Sequence, residues 1–343
     1  MNFYRLSVGE RTACMRALAI EALKRWGTAE QEPEIIKLRE NAVFKVQGPD
    51  GAPAALRVHR HGYHTDAELT SELAWMAALR EAGIGVPGIL RSRSGALFET
   101  VKHESVPEPR QVDLLEWFEG QSLGSVEDGL SSAVTDVADT FTKFGTLAAR
   151  LHNHAVAWPL PAGFTRHAWD VDGLTGEEPF WGRFWELGGL STSQRTLIEA
   201  ARDRTQRDLI AYGQRPQTYG LIHADFNLDN ILIDGAEVRL VDFDDAGFGW
   251  HLFDLATVSF FLRGQAEFDL VRRSVIDGYR RERPLSDEQL EAMPLFNLVR
   301  GFTYLGWVHT RHETRTAQVI EPAAIALVCK LADDYMAGDS NAG

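Results

Sequence analysis

The sequence predicts an α+β chain: a small β-rich N-terminal lobe with one long helix packed on it, then a larger, mainly helical C-terminal lobe. Three observations predict it. Short strand-like runs cluster over residues 34–58, where an Asp50-Gly51 turn signal separates two of them. A helical period returns at Asp66 and gives way at Gly83 to a second strand group. Beyond residue 134 helical patterns dominate, interrupted once by short strands joined across Asp234 and Gly235. The lobes are expected at 1–118 and 119–336, joined near residues 116 to 121, with a frayed tail over 337–343.

Element by element, residues 9 to 26 carry apolar side chains at helical spacing, and Gly27 is placed to stop that helix. "EIIKLRE", "AVFKVQ" and "PAALRVH" read as strands, and "DAELTSELAWMAALREA" as the helix from Asp66 to Ala82. "GILRS", "ALFETVKH" and "QVDLLEWF" form the second strand group. Helices are then expected over 134–155, 178–188 and 191–212, and strands over 231–233 and 237–241. Helices follow in "HLFDLATVSFFL", "EFDLVRRSVIDGYRRE" and from 286 into the 330s.

Composition narrows the function. The 343 residues carry a net charge of −14, which argues against a nucleic-acid or anionic-membrane surface, since both need clustered Lys and Arg. Cys14 and Cys329 match no metal or redox spacing, and no run approaches the length of a membrane span. With no signal-peptide pattern at "MNFYRLSVGER", a cytoplasmic protein is expected.

The chemistry concentrates in "HADFNLDNILIDGAEVRLVDFDDAG", which starts at His223 and alternates acids with strand-like apolar runs. Crowded carboxylates need a cation. Asp225, Asn230 and Asp242 suit a nucleoside triphosphate with divalent metal: phosphoryl transfer needs a carboxylate near the attacking hydroxyl and oxygen ligands for the ion.

On these residues the chain resembles the aminoglycoside phosphotransferase, choline kinase and type II homoserine kinase superfamily. "HADFNLDN" is similar to a kinase-like His-x-Asp-x-x-x-x-Asn pattern, and "VDFDD" to the Asp-Phe-Gly position with an acid replacing the glycine. The resemblance covers about residues 30 to 315 and implies a bilobal protein-kinase-like fold that uses ATP and Mg2+ to phosphorylate a hydroxyl on a small molecule. It implies that Asp225 directs the acceptor hydroxyl, that Asn230 and Asp242 ligate magnesium with Asp244 assisting, and that His223 and Asp254 support the loop. In the small lobe it puts Arg57 where kinases carry a phosphate-binding lysine, with Glu72 as its partner and Glu68 as the alternative. No Gly-x-Gly-x-x-Gly precedes the second strand; "LRENAVFKV" resembles the Glu-Asn-x-x-Phe/Tyr turn instead, so Asn41 is expected at the nucleotide. The backbone of Glu116 and Phe118 is expected to meet the adenine edge.

Other segments compete for a role. His59, His61 and His64 in "HRHGYH" suggest a metal but fit no tetrahedral spacing. The tryptophan-rich "WPLPAGFTRHAW" and "PFWGRFWELGG" read as core or as an aromatic substrate wall. Arg300, Tyr304, Trp307 and Arg311 share a helical face, where arginine would suit a carboxylate acceptor; Asp229 and Asp245 would suit an amine. A protein Ser/Thr kinase of the bacterial stress-response type, and a nucleotide-binding regulatory module, are the alternatives to a small-molecule kinase.

Overall fold

The computed structural model describes residues 3–28, 30–39, 41–125 and 128–338. Two compact units divide them: residues 1–119 with 160–165, and residues 120–159 with 166–343. The fold is α+β, a sheet-based N-terminal unit and a helical C-terminal one.

In the first unit, α1 (Val8–Leu23) starts at Ser7, whose hydroxyl and Glu10 form a reciprocal cap. Five antiparallel strands follow in the order β1-β2-β3-β5-β4: β1 (Glu34–Leu38), β2 (Ala42–Gln47), β3 (Pro53–Val58), β4 (Phe98–Val101) and β5 (Arg110–Glu116). Between β3 and β4 runs α2 (Asp66–Glu81), capped by Thr65 and Glu68 in the same reciprocal way. Alternating burial along β2 sends Phe44 and Val46 into a core shared with Leu18, Ala22 and Trp26. The "GILRS" segment is not a strand. It makes a single bridge, Ile89 to Leu115, because Gly88 and Leu90 bond only to the end of β5 before the chain turns at Gly95.

The second unit opens with β6 (Gln121–Ser122) and the two-residue pair β7 (Gly124–Ser125) and β8 (Gly129–Leu130), then α3 (Val137–Ala157). After β9 (Ala168–Trp169) and α4 (Val171–Thr175) comes α5 (Thr192–Tyr212). The helix expected over 178–188 is absent: Pro179 and Gly182, at φ 105°, break it, and only a 3-10 turn forms at Phe184–Glu186. Next are β10 (Tyr219–Ile222), β11 (Ile231–Asp234), β12 (Glu237–Leu240) and β13 (Gly247–Trp250). β11 and β12 form a hairpin across Gly235 and Ala236, and β13 lies between β10 and β9. Helices α6 (His251–Ser259), α7 (Phe268–Glu282), α8 (Asp287–Leu290), α9 (Met293–Thr310) and α10 (Arg315–Met336) complete the unit.

Two features position the site. Helices α3 and α7 pack backbone to backbone: a Cβ on Gly145 would collide with the Val275 carbonyl, and one on Gly278 with the Thr142 carbonyl. Helix α9 is buried almost all round from Leu295 to Gly306, so its one cation there, Arg300, needs a partner. The tryptophan-rich segment is mostly core: Trp169, Phe184, Trp181 and Trp185 are all buried, with Trp169 edge-on to Trp181 at 5.3 Å. No helix among the described residues is long and apolar enough to cross a membrane.

Candidate active site

In the helical unit the loop from His223 to Asn230 is folded around a carboxylate. Asp254 of α6, fully buried, accepts the backbone N–H of His223 at 3.0 Å and of Ala224 at 2.7 Å. This bend carries Ala224 to φ 64°, a left-handed conformation that costs a non-glycine residue roughly 1 kcal/mol. Asp242 stands at φ 64° too, and these two are the non-glycine residues with positive φ among those described. Both strained positions adjoin the acids singled out for chemistry.

Beneath the loop, His152 of α3 donates through Nε2 to Asp254 at 3.0 Å and accepts from the Tyr279 hydroxyl through Nδ1 at 2.8 Å. Burial and the charge of Arg283 hold His152 neutral, well below the usual histidine range. His223 is also neutral: burial pushes it down to about 4 despite the nearby Asp254. Its Nε2–H donates to the Val241 carbonyl at 3.1 Å, which leaves Nδ1 to accept the Asp225 N–H at 3.3 Å. Burial raises Asp254 to about 6, although His223 and the two backbone donors favour its charged form. His223 and Asp254 thus hold the loop by hydrogen bonds to its backbone.

Asp225 is the focus of the loop. Its Oδ1 accepts from Asn227 Nδ2 at 2.6 Å and Arg300 Nη2 at 2.8 Å, and its Oδ2 accepts from Asn230 Nδ2 at 2.8 Å. A 3-10 turn at Leu228–Asn230 brings Asn230 back against it. Because the Asn230 nitrogen is committed to Asp225, its oxygen is the atom left to meet a cation. The hairpin returns the chain through a Val241 N–H bond to the Asn230 carbonyl at 3.0 Å, so Asp242 emerges directly after Asn230's neighbour. With the Asn230 nitrogen committed, Asn230, Asp242 and Asp244 offer oxygen donors, a set that fits a hard divalent ion.

The segment after Asp242 is clamped from one side by residues of "WPLPAGFTRHAW", in a role the sequence reading did not give them. Arg166 donates to the carbonyls of Asp244 and Ala246, both at 2.5 Å, and His167 and Trp169 donate to the Asp245 carbonyl at 3.0 and 2.9 Å. The Asp245 carboxylate takes the Trp181 indole N–H at 3.3 Å. Asp229 is half-buried in the turn, close enough to Tyr304 for its charge to help raise the phenol behind the larger effect of burial.

Arg300 corrects an expectation. Read as a carboxylate receptor for the substrate, it is fully buried and already committed, to Asp225 and to the Ala224 carbonyl at 2.9 Å. Further along α9, Trp307 and Arg311 pack on each other at 5.3 Å, and Arg311 donates to Thr310 Oγ1 at 3.0 Å.

In the sheet unit, Arg57 on β3 stands directly across from Asp113 on β5. The guanidinium gives Nε and Nη2 to the two Asp113 oxygens at 2.9 and 2.6 Å, and Nη2 lies 3.0 Å from Glu72 of α2. Glu68 is engaged in capping α2. His59 adds a third contact to Asp113 at 3.0 Å, so this histidine belongs to the arginine cluster. Burial would raise the Asp113 carboxyl, but Arg57 and His59 outweigh it and bring it down to about 2. Asp113 had no sequence signal, since the pair spans 56 residues.

Asn41 is buried at the start of β2, where its Oδ1 accepts the Arg60 N–H at 3.1 Å; Glu40 of the same turn lies outside the described residues. Glu116 gives its N–H to the Gly88 carbonyl at 2.8 Å and its carboxylate to Arg80, so its carbonyl is the backbone group it could offer to an adenine. Phe118 follows, half-buried, after Trp117, over whose ring Lys45 sits at 4.4 Å.

Comparison with known proteins agrees with this chemistry. Residues 34–288 match the Phosphotransferase enzyme family. A solved structure of the microcompartment-associated aminopropanol kinase is 32% identical, covers 94% of this chain and 98% of its own, and superposes with a TM-score of 0.83. An amicoumacin kinase in complex with AMP-PNP, Ca2+ and Ami is 19% identical over 96% of this chain and 95% of its own, with a TM-score of 0.74. Amicoumacin kinase of Bacillus subtilis (strain 168) is 23% identical over 86% of this chain and 85% of its own.

Proposed function

This chain belongs to the phosphotransferase enzyme family and is a kinase for a small molecule that bears an alcohol; from that premise we propose that it moves the γ-phosphate of ATP, with Mg2+, onto the hydroxyl of a small amino alcohol. The observation that carries the reading is the Asp225 carboxylate, held on a strained loop by three side-chain donors with part of its surface still exposed. Asp225 accepts the hydrogen bond of the acceptor O–H and turns the oxygen's lone pair toward phosphorus. The acceptor oxygen bonds to the γ-phosphorus, the bond from that phosphorus to the β–γ bridging oxygen breaks, and its electron pair leaves with ADP. The hydroxyl proton passes to Asp225. A magnesium ion held by Asn230, Asp242 and Asp244 would neutralise charge on the phosphates. Arg57 is assigned to the phosphates from the sheet unit, sharing its guanidinium with Asp113 and Glu72. Asn41 and the backbone of Glu116 and Phe118 are assigned to the rest of the nucleotide.

The amino-alcohol class rests on the 32% identical aminopropanol kinase and on two carboxylates near the loop, Asp229 and Asp245, beside the Tyr304 and Trp181 rings. The test is transfer from γ-labelled Mg-ATP to 1-amino-2-propanol, ethanolamine, homoserine, choline, 1,2-propanediol and an aminoglycoside. An amino alcohol should be the best acceptor, with the diol poorer by about 10²-fold in kcat/KM, because the diol lacks the ammonium charge that a carboxylate attracts. EDTA should abolish turnover. Equal use of diol and amine would refute the acceptor class, and full turnover in Asp225→Asn would refute the role of Asp225.

A further inference from the structure

We propose that Arg300 is the positioning residue of the transfer step, acting through a closed ring of side chains that fixes the Asp225 carboxylate in one orientation toward the acceptor hydroxyl. The inference rests on the reading of Asp225 as the acceptor-directing carboxylate. The ring can be followed bond by bond. Arg300 Nη2 donates to Asp225 Oδ1 at 2.8 Å and to the Tyr304 hydroxyl at 2.8 Å. Tyr304 donates to Asn227 Oδ1 at 2.6 Å, and Asn227 Nδ2 returns to Asp225 Oδ1 at 2.6 Å. Each member fixes the rotamer of the next, and Arg300 Nη1 adds a bond to the Ala224 carbonyl, at the strained residue just before Asp225.

Position and surroundings explain why arginine performs this. Arg300 and Tyr304 are one helical turn apart on α9, so both reach the same loop from a rigid element. The guanidinium lies over the rings of Tyr304, Trp181 and Phe253 at 4.3, 5.0 and 5.2 Å. Those rings exclude water and attract the cation, which strengthens its hold on the carboxylate. Only a planar fork can serve a carbonyl with one nitrogen, and a carboxylate and a phenol with another. With Asn227 and Arg300 on Oδ1 and Asn230 on Oδ2, side chains hold both oxygens of the carboxylate. The carboxylate is thereby prevented from swinging about its own bond, and such freedom would cost transfer far more than binding.

The experiment measures transfer to the best acceptor of the panel above and nucleotide binding by calorimetry, in the full chain. Arg300→Met should lower kcat by about 10²-fold while the KM for ATP stays within about threefold. Arg300→Lys, which keeps the charge and loses the fork, should recover less than a tenth of the native rate. Guanidinium chloride at low millimolar concentration should restore turnover to Arg300→Ala and leave Arg300→Lys unchanged. Tyr304→Phe and Asn227→Ala open the ring without stranding a buried charge, and each should lower kcat by about tenfold. If Asp225→Asn abolishes transfer yet Tyr304→Phe, Asn227→Ala and folded Arg300→Met keep native kcat, the positioning role is wrong and Asp225's role stands. If Asp225→Asn itself keeps native turnover, both fall. A loss of ATP affinity matching the loss of kcat in Tyr304→Phe would also overturn the proposal, because it would mark general loosening of the unit.

Discussion

Each unit buries an arginine against an aspartate, and the two pairs differ in what the carboxylate has left over. In the sheet unit Arg57 is held between Asp113 and Glu72, both fully shielded, with His59 on the same Asp113 oxygen as Arg57 Nη2. In the helical unit Arg300 is as deeply buried, but its partner Asp225 keeps a 16% exposed side chain. The first arrangement shields both of its acids and joins a strand pair to a helix. The second is held on both oxygens yet keeps part of its carboxylate at the surface. A buried ion pair by itself therefore says little about chemistry; the exposure that the acid's side chain retains is what distinguishes the two pairs.

The sharpest way to break this comparison is to remove each acid in turn. Asp225→Asn should reduce turnover by about 10²–10⁴-fold, the range for loss of a group that handles the acceptor proton, with little change in unfolding by urea. Asp113→Ala should do the reverse. It removes the bidentate partner of the buried Arg57 guanidinium, leaves Glu72 as the acid beside it, and is expected to cost about 3 kcal/mol of stability, read from the urea midpoint. Should Asp113→Ala unfold normally and lose only turnover, Asp113 would be part of the chemistry and the contrast between the two pairs would vanish.

A smaller effect sharpens the role of Arg57 itself. Arg57→Lys retains the charge but cannot bond both Asp113 oxygens in parallel, as Nε and Nη2 do at 2.9 and 2.6 Å. ATP binding by calorimetry is expected to weaken by about tenfold, with kcat changed less. A larger drop in kcat than in affinity would assign Arg57 to the transition state instead of to ground-state phosphate binding.

The contrast also marks what could be read along the chain. The loop acids were legible because Asp225, Asn230 and Asp242 sit at fixed spacing in one stretch, flanked by a hairpin whose turn residues are explicit. Glu72 was reachable because one helical period selects a few candidates. Asp113 and the Arg300 contact were not, since their partners lie 56 and 75 residues away and no local pattern encodes a cross-strand register or a helix docking angle. One signal did exist for Arg300. A lone cation in "LFNLVRGFTYLGWV" must find an acid if that helix is buried all round, although the run does not say which acid. The missing helix at 178–188 failed for a local reason, because apolar spacing there outvoted Pro179 and Gly182.

Acid should separate the two units in order, and this is the mildest test. Under the loop of the helical unit, burial holds His223 near 4 and, together with Arg283, His152 well below the ordinary 6.5. His251, stacked on His152 at 4.4 Å, is depressed likewise, by burial first and then by His152 and Arg283. A depressed histidine binds fewer protons folded than unfolded, so the stability it contributes is complete above 6.5 and is lost as pH falls toward the folded value. Asp254, raised to about 6, acts in the opposite sense: its contribution is complete below the ordinary aspartate value of 3.8 and is lost as pH rises through 6. Three histidines oppose one aspartate, so the helical unit should weaken between pH 6.5 and 4. In the sheet unit Asp113 is lowered to about 2, and its contribution is complete above 3.8 and lost only as pH falls toward 2. Hydrogen exchange, corrected for its intrinsic pH dependence, should therefore show protection over residues 219–230 falling between pH 6.5 and 4.5 while β3 and β5 keep theirs. Simultaneous loss in both segments would mean that acid stability is set by something other than these buried groups.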